Sequence, residues 1–292
     1  MNSVLDFAAR RMRLISLFFT GLGVALAIFY WLQLTTTTGL PVDVHAYWVA
    51  DPNNLYPPAD ETLHRDAYLY SPAFELVVGW GRHLSFEAFT AIWRGVLLAL
   101  VVWLAGPLTV PTLLMIPVAS EINAGNIQIL LASAVVLGLR RPAAWAATWA
   151  FVLLTKVTPG LGLLWFVVRR EWRPLAVALG VTAVVAAVTF LLWPERWFGW
   201  FALMAGESPP PVAPFYLPFL PRMVIAAAIV ALGAWRGWRW TVVVGATIGL
   251  PVFYPISLAL LVGVLPYVRE AVGRWAQARN RQGPVSAIAG AD

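Results

Sequence analysis

Long apolar runs separated by short arginine-rich turns are the main pattern of the chain. The first run, residues 14–34, has 21 residues without a charge and follows Arg10, Arg11 and Arg13. It is long enough to cross a bilayer, longer than the apolar core of a signal peptide, and carries no convincing cleavage site. We interpret it as a signal anchor whose N-terminal end lies in the cytoplasm.

The arginine clusters predict the topology, because basic turns are retained on the cytoplasmic side. The clusters are Arg140/Arg141, Arg169/Arg170/Arg173, Arg236/Arg239, and Arg269, Arg274, Arg279 and Arg281 in the tail. Apolar runs that agree with this sidedness are 87–105, 108–119, 127–139, 142–155, 159–168, 174–193, 216–234, 239–254 and 256–268. Together with the first run, they predict about ten transmembrane helices or half-helices. The shortest runs cannot cross a core about 30 Å thick, so we expect broken helices there.

The composition supports a membrane protein. The 292 residues are 60% hydrophobic and 12% charged, whereas soluble domains are about half apolar and about a quarter charged. We predict an all-α, polytopic protein with one transmembrane domain over 1–268 and a disordered cytoplasmic tail over 269–292. The chain has no cysteine, which excludes disulfides and thiolate metal sites. Most of the basic residues lie in the cytoplasmic clusters, so the net charge of +6 does not indicate a nucleic-acid partner.

Polar residues gather in segments that are predicted to lie outside the membrane. The first of these segments is 35–84, and its last part, 70–84, is predicted to form a juxtamembrane helix at the outer surface. A crossing at 70–84 would move every later arginine cluster to the outside, against the charge rule. The second outer loop is 194–215, and the polar turn 120–128 lies on the same face.

One lysine interrupts the apolar run 151–164. Lys156 is the only lysine among the 20 basic residues, and an ionisable residue at membrane depth is a functional candidate. The alternative is that its side chain only reaches up to the interface without a partner. Pro159 predicts a break in the helix directly after the lysine.

Four motifs, in order, resemble glycosyltransferase family 87. They are "DVHAYWVADPNNLYPP" at 43–58, "YLYSPAFELVVGW" at 68–80, a Gly-Asn-Gln turn, and "TKVTPGLGLLWFVVRREWR" at 155–173. The resemblance implies a GT-C-like fold and a membrane mannosyltransferase that uses polyprenyl-phosphate-mannose. It also implies that Asp43 is the catalytic residue and that transfer inverts the anomeric centre.

The chemistry of such a transfer calls for a base and a cation. Asp43, close to the end of the first helix, is the predicted general base, although it could instead cap a loop helix. Lys156, a compact cation, is predicted to bind the donor phosphate. The outer-face arginines predicted to add phosphate contacts are Arg65 and Arg222, with Arg82 and Arg196. Predicted substrate-binding residues are His45, Tyr47, Tyr70, Glu121, Asn123 and Asn126, although the histidine could be a surface residue and the asparagines could serve only the turn.

The predicted function is transfer of a hexose from a polyprenyl-phosphate-sugar donor to a lipid-linked or glycan acceptor. We expect it at the outer face of the plasma membrane, among membrane lipids, with both termini cytoplasmic and with no cofactor, metal or nucleic acid. The pair Asp43 and His45 is too small to indicate a metal site. A secondary transporter and a non-catalytic membrane subunit are the alternatives. The transporter would suit the broken helices and the lysine, but no repeat relates 14–140 to 142–268.

Overall fold

The computed structural model describes residues 2–36, 41–57, 67–206 and 217–281. These ranges are helical and contain no strand. In chain order the α-helices are α1 (Asn2–Thr36), α2 (Val42–Val49), α3 (Glu75–Val78), α4 (Phe86–Ala105), α5 (Thr109–Leu113), α6 (Ile116–Ala124), α7 (Gln128–Arg140), α8 (Pro142–Trp145), α9 (Thr148–Thr155), α10 (Leu164–Val168), α11 (Trp172–Leu192), α12 (Pro194–Gly206), α13 (Phe219–Arg236), α14 (Trp240–Ile248) and α15 (Leu265–Arg281). Tighter 3₁₀ turns cover Pro72–Phe74, Gly79–His83, Gly106–Leu108, Thr158–Leu163 and Pro255–Val264.

Several of the helices are apolar and long enough to cross a membrane. In the described ranges five stretches qualify: Arg11–Leu34, Phe86–Leu113, Trp172–Leu192, Phe219–Arg236 and Pro255–Ala278. The pair α6 and α7, bent by 106° at the break between them, would make a sixth. Large apolar side chains on α1 and α11 are exposed, as on a surface that faces lipid instead of water. The all-helical membrane protein predicted from the sequence is confirmed at this level.

The predicted number of ten crossings is not confirmed. Hydropathy measures the length of an apolar run, whereas a crossing also requires one continuous helix. The predicted runs 87–105 and 108–119 partly merge into the single stretch Phe86–Leu113. The runs 142–155 and 159–168 instead form short helices separated by the extended backbone of Lys156, close to the break predicted from Pro159.

The core of the fold is formed around α7. Leu131, Val135, Val136 and Leu139 are almost completely buried, and α7 packs against α4, α9 and the turn Pro255–Val264. A helix that is apolar on nearly all sides requires neighbours on all sides. The N-terminal end of α7 is thereby fixed inside the molecule, next to the polar turn that joins it to α6.

Two further predictions concern segment 70–84 and the residues that follow 268. Segment 70–84 contains only short helical turns over 72–83 and is not among the stretches long enough to cross. By contrast, residues 269–281, which we expected to be disordered, continue α15 to Arg281. Apolar Val268, Val272 and Trp275 recur at helical spacing there, and Glu270 pairs with Arg140 at 2.5 Å.

Candidate active site

Two carboxylates and one ammonium group converge from three separate parts of the chain. Asp43 lies in the first turn of α2, Glu121 lies on α6, and Lys156 follows the last residue of α9. The positive charge of Lys156 acts on both Asp43 and Glu121, so the three groups share one electrostatic environment. The arrangement brings together the predicted base and the predicted phosphate-binding cation.

The carboxylate of Asp43 is half-buried. Burial raises its pKa to about 6, while the charge of Lys156 and a hydrogen bond with the side chain of Asn126 act in the opposite direction. Burial disfavours the charged form of an acid, and a neighbouring cation or hydrogen-bond donor favours it. The result is a carboxyl group that can exchange a proton near neutral pH, as a general base requires.

Two buried tyrosines form one wall of the site. The hydroxyl groups of Tyr47 and Tyr70 lie 3.2 Å apart, and Tyr70 donates a long hydrogen bond of 3.5 Å to Oδ1 of Asn126. Burial raises the pKa of both tyrosines well above its ordinary value. Both side chains therefore remain neutral, and their hydroxyl groups form a short hydrogen-bonded chain that ends at Asn126.

The turn between α6 and α7 is shaped by a glycine. Gly125 has φ +73°, and a Cβ there would lie 1.9 Å from Cγ2 of Val44. Its carbonyl accepts a hydrogen bond of 2.6 Å from the indole of Trp93. Because a left-handed conformation and a close approach coincide, only glycine fits. This contact places α2, and with it Asp43, directly against the turn that carries Asn126.

Glu121 is fully buried at the break between α6 and α7. One of its oxygens accepts a hydrogen bond from the backbone N–H of Gln128, which satisfies a free donor at the start of α7. Its other oxygen, Oε2, has no hydrogen-bond partner within the described ranges. Glu121 therefore stabilises the bent turn beside Lys156.

Lys156 lies in an extended conformation at the end of α9, with φ −135° and ψ 107°. Its side chain is half-buried, and none of the ion pairs found among the described residues includes it. Nearby, the hydroxyl of Ser71 donates to the carbonyl of Leu154 and so attaches segment 70–84 to the last turn of α9. Within the described ranges, the ammonium group is therefore held in place by the backbone without a direct ion-pair partner.

Other predicted substrate-binding residues have structural contacts. The ring of His45 packs edge-on against Phe86, with ring centroids 5.1 Å apart. Asn123 accepts hydrogen bonds from Arg94 through its backbone oxygen and its side chain. No group of three or more His, Asp or Glu residues in the described part of the chain is placed to hold a metal ion.

The arginines predicted to bind phosphate also have partners. Arg222 is buried and donates to the carbonyl oxygens of Leu217, Ile248, Leu250 and Pro251. These contacts cap the end of α14. Arg82 and Arg196 both pair with Glu75, and Arg65 lies outside the described residues.

Glu75 was not among the predicted site residues, whereas Gln128 was predicted only as part of the Gly-Asn-Gln turn. Glu75 is a buried carboxylate in an otherwise apolar stretch, which is the same signal that drew attention to Lys156. Gln128 is buried at the start of α7 and donates its N–H to Glu121. Its role depends on the bend between the two helices, which the sequence does not specify.

Comparison with known proteins identifies the family of the chain. The model of glycosyltransferase family 87 matches residues 68–280, well over half of the chain. The match includes Glu121, Asn126 and Lys156, begins after Asp43, and continues past residue 173, where the last of the four motifs ends. No curated protein and no solved structure matches the chain. The chain belongs to glycosyltransferase family 87.

Proposed function

We propose that this membrane glycosyltransferase transfers a hexose from a polyprenyl-phosphate-sugar donor to a lipid-linked or glycan acceptor, and that this hexose is mannose. The reaction takes place at the outer face of the plasma membrane. Asp43 is the general base and Lys156 binds the donor phosphate. The observation that carries the proposal is the convergence of Asp43, with its raised pKa, and Lys156, which has no direct ion-pair partner in the described ranges.

The proposed step is a direct displacement at the anomeric carbon. The acceptor hydroxyl gives its proton to Asp43 while its oxygen forms a bond with the anomeric carbon. The bond from that carbon to the phosphate oxygen breaks, and the electron pair leaves with the polyprenyl phosphate. Lys156 balances the negative charge that develops on the leaving phosphate, and such stabilisation of developing charge is often the largest catalytic term. Displacement from the opposite side inverts the anomeric centre.

The remaining groups of the site support this step. Asn126 orients Asp43 by a hydrogen bond, and the neutral hydroxyl groups of Tyr47 and Tyr70 extend this hydrogen-bond network on one side of the site. Glu121 keeps the α6–α7 turn in the bent form that presents Asn126. An aromatic and amide wall of this kind suits the hydroxyl groups and apolar faces of a sugar.

Transfer by the purified protein is the direct test. The protein in lipid nanodiscs is incubated with radiolabelled polyprenyl-phosphate-mannose and a lipid extract, and labelled products are separated by chromatography. We expect a labelled product with the wild type and none with a heat-denatured sample. Polyprenyl-phosphate-glucose in a parallel reaction tests the sugar. Flux of the donor across proteoliposomes without any product would contradict transfer and favour a transporter.

The pH dependence of transfer should follow the titration of Asp43. The base acts in its deprotonated form, and its folded pKa is raised to about 6. We therefore expect kcat/KM to fall about tenfold per pH unit below pH 6 and to level off above it, since kcat/KM reports the free enzyme. Asp51→Asn, which removes an exposed carboxylate of the same loop, should leave the profile unchanged. A profile that is flat from about pH 5 to pH 7 contradicts the assignment.

The proposed sidedness can be tested in intact cells. The chain has no cysteine, so labelling of a single introduced cysteine reports the side of the membrane at that position alone. Asp51 and Arg141 are suitable positions because both residues are exposed. We expect an impermeant thiol reagent to label the cysteine at 51 and to label the one at 141 only after the cells are opened. The reverse result would place the site on the cytoplasmic side.

A further inference from the structure

One carboxylate in the described part of the chain is shared by two arginines. Glu75 is buried, with Arg82 on one carboxylate oxygen and Arg196 on the other. The other two ion pairs found in the same ranges are one-to-one, Arg140 with Glu270 and Arg169 with Glu171. Two arginines and one glutamate leave a net charge of +1, which we call the Glu75 cluster.

The two guanidinium groups still have donors to offer. Arg82 uses one terminal nitrogen for Glu75, and Arg196 likewise uses one. Among the described residues no other hydrogen bond is formed by either side chain, and both are partly exposed, at 28% and 19%. Guanidinium groups held side by side with free N–H donors are well suited to a phosphate. Glu75 fixes their position without neutralising both of them.

The two arginines of the Glu75 cluster lie next to the ends of two candidate membrane spans. Arg82 comes four residues before the candidate span Phe86–Leu113, and Arg196 comes four residues after the span Trp172–Leu192. The guanidinium of Arg196 stacks on the ring of Trp193 at 4.6 Å, and tryptophan is typical of the membrane interface. Helix α12, which carries Arg196, exposes the apolar side chains of Phe198, Phe201 and Met204. An exposed apolar face of this kind suits a helix that lies in the interface beside lipid.

We propose that the Glu75 cluster binds the phosphate of a membrane lipid, at a site separate from the donor phosphate site proposed at Lys156. The lipid, not free phosphate, is the expected ligand, because the arginines are flanked by two spans and by an apolar helix face. This proposal does not depend on the transfer reaction, since it concerns binding of a lipid at a different group of residues.

A row of tyrosines connects the Glu75 cluster with the active site. Tyr56 interacts electrostatically with Glu75 and Arg196, and its hydroxyl donates to the carbonyl of Tyr70 at 2.5 Å. Tyr70 in turn reaches Asn126, which contacts Asp43. A lipid phosphate bound at the Glu75 cluster would therefore restrain Tyr56 and, through it, Tyr70 in the active site.

The test measures lipid binding by native mass spectrometry in the Lys156→Met background, so that the donor site does not contribute. The probes are dioleoyl phosphatidic acid, dioleoylglycerol, which has the same chains without phosphate, and inorganic phosphate. The test variant combines Glu75→Gln, Arg82→Gln and Arg196→Gln. It removes all three charges together and therefore leaves no buried charge unpaired, a change that proteins often tolerate. The control variant, Arg140→Gln with Glu270→Gln, removes the ion pair at the C-terminal end of α7, whereas the active site lies at the N-terminal end of this helix.

We expect the triple variant to bind phosphatidic acid about tenfold more weakly than its background, and the control variant to bind it unchanged. Dioleoylglycerol should bind weakly and equally to all variants. Equal affinity of the triple variant and its background for phosphatidic acid would overturn the proposal. Displacement of the lipid by inorganic phosphate at equal concentration would overturn the choice of a lipid as ligand. Circular dichroism and gel filtration show whether the triple variant keeps its fold.

Discussion

Asp43→Asn should lower the rate of transfer by about 10²–10⁴-fold, which is the usual contribution of a positioned base. Asparagine has nearly the same shape as aspartate, and its side-chain oxygen can still accept the hydrogen bond from Asn126. It cannot take a proton from the acceptor. The residual rate, measured with labelled polyprenyl-phosphate-mannose, should lose the acid limb near pH 6.

The same substitution should not destabilise the fold. The folded state raises the pKa of Asp43, so ionised Asp43 is disfavoured by folding at every pH above its ordinary pKa. Replacing it with a neutral amide removes that cost, and the thermal midpoint of Asp43→Asn should be equal to or higher than that of the wild type. Loss of activity without loss of stability is characteristic of a catalytic residue. Asp51→Asn is the matched control and should retain full activity; transfer by Asp43→Asn within a few-fold of wild type contradicts the role of Asp43 as base.

The break in the helix at Lys156 and the polar turn before α7 were predictable because their causes are local. A proline disfavours helix at the preceding residue and cannot donate an N–H of its own, so Pro159 predicts a break within a few residues of Lys156. The turn at Gly125 is likewise expected from a glycine between two apolar runs. Both features follow from residues within a few positions of each other.

Pairings between distant segments were not predictable in this way. Glu75 and Arg196 are 121 residues apart in sequence, and their contact exists only because α12 packs against segment 70–84. The role of Arg222 was not predictable from the sequence either. A basic residue near the end of an apolar run can bind a ligand or cap backbone carbonyls, and only the fold reveals that Arg222 contacts the end of α14.

Lys156→Met should weaken the binding of the donor and lower kcat by about 10²–10³-fold, the usual cost of removing one group that stabilises developing negative charge. Methionine keeps most of the length and the apolar stem of lysine, so packing at the end of α9 should be preserved. Lys156→Arg should recover only part of the activity, because a planar guanidinium is a different shape from a compact ammonium. Arg141→Met, a change at an exposed cation elsewhere, is the matched control and should be silent.

A second readout separates a phosphate-binding lysine from one that only reaches the interface. The charge of Lys156 lowers the pKa of Asp43 against the effect of burial. Removing that charge should therefore move the acid limb of kcat/KM to higher pH, whereas Arg141→Met should leave it near pH 6. Donor titrations and pH profiles of Lys156→Met are measured together. Unchanged donor affinity, turnover and acid limb would mean that Lys156 serves as an interfacial anchor, with the leaving phosphate stabilised elsewhere.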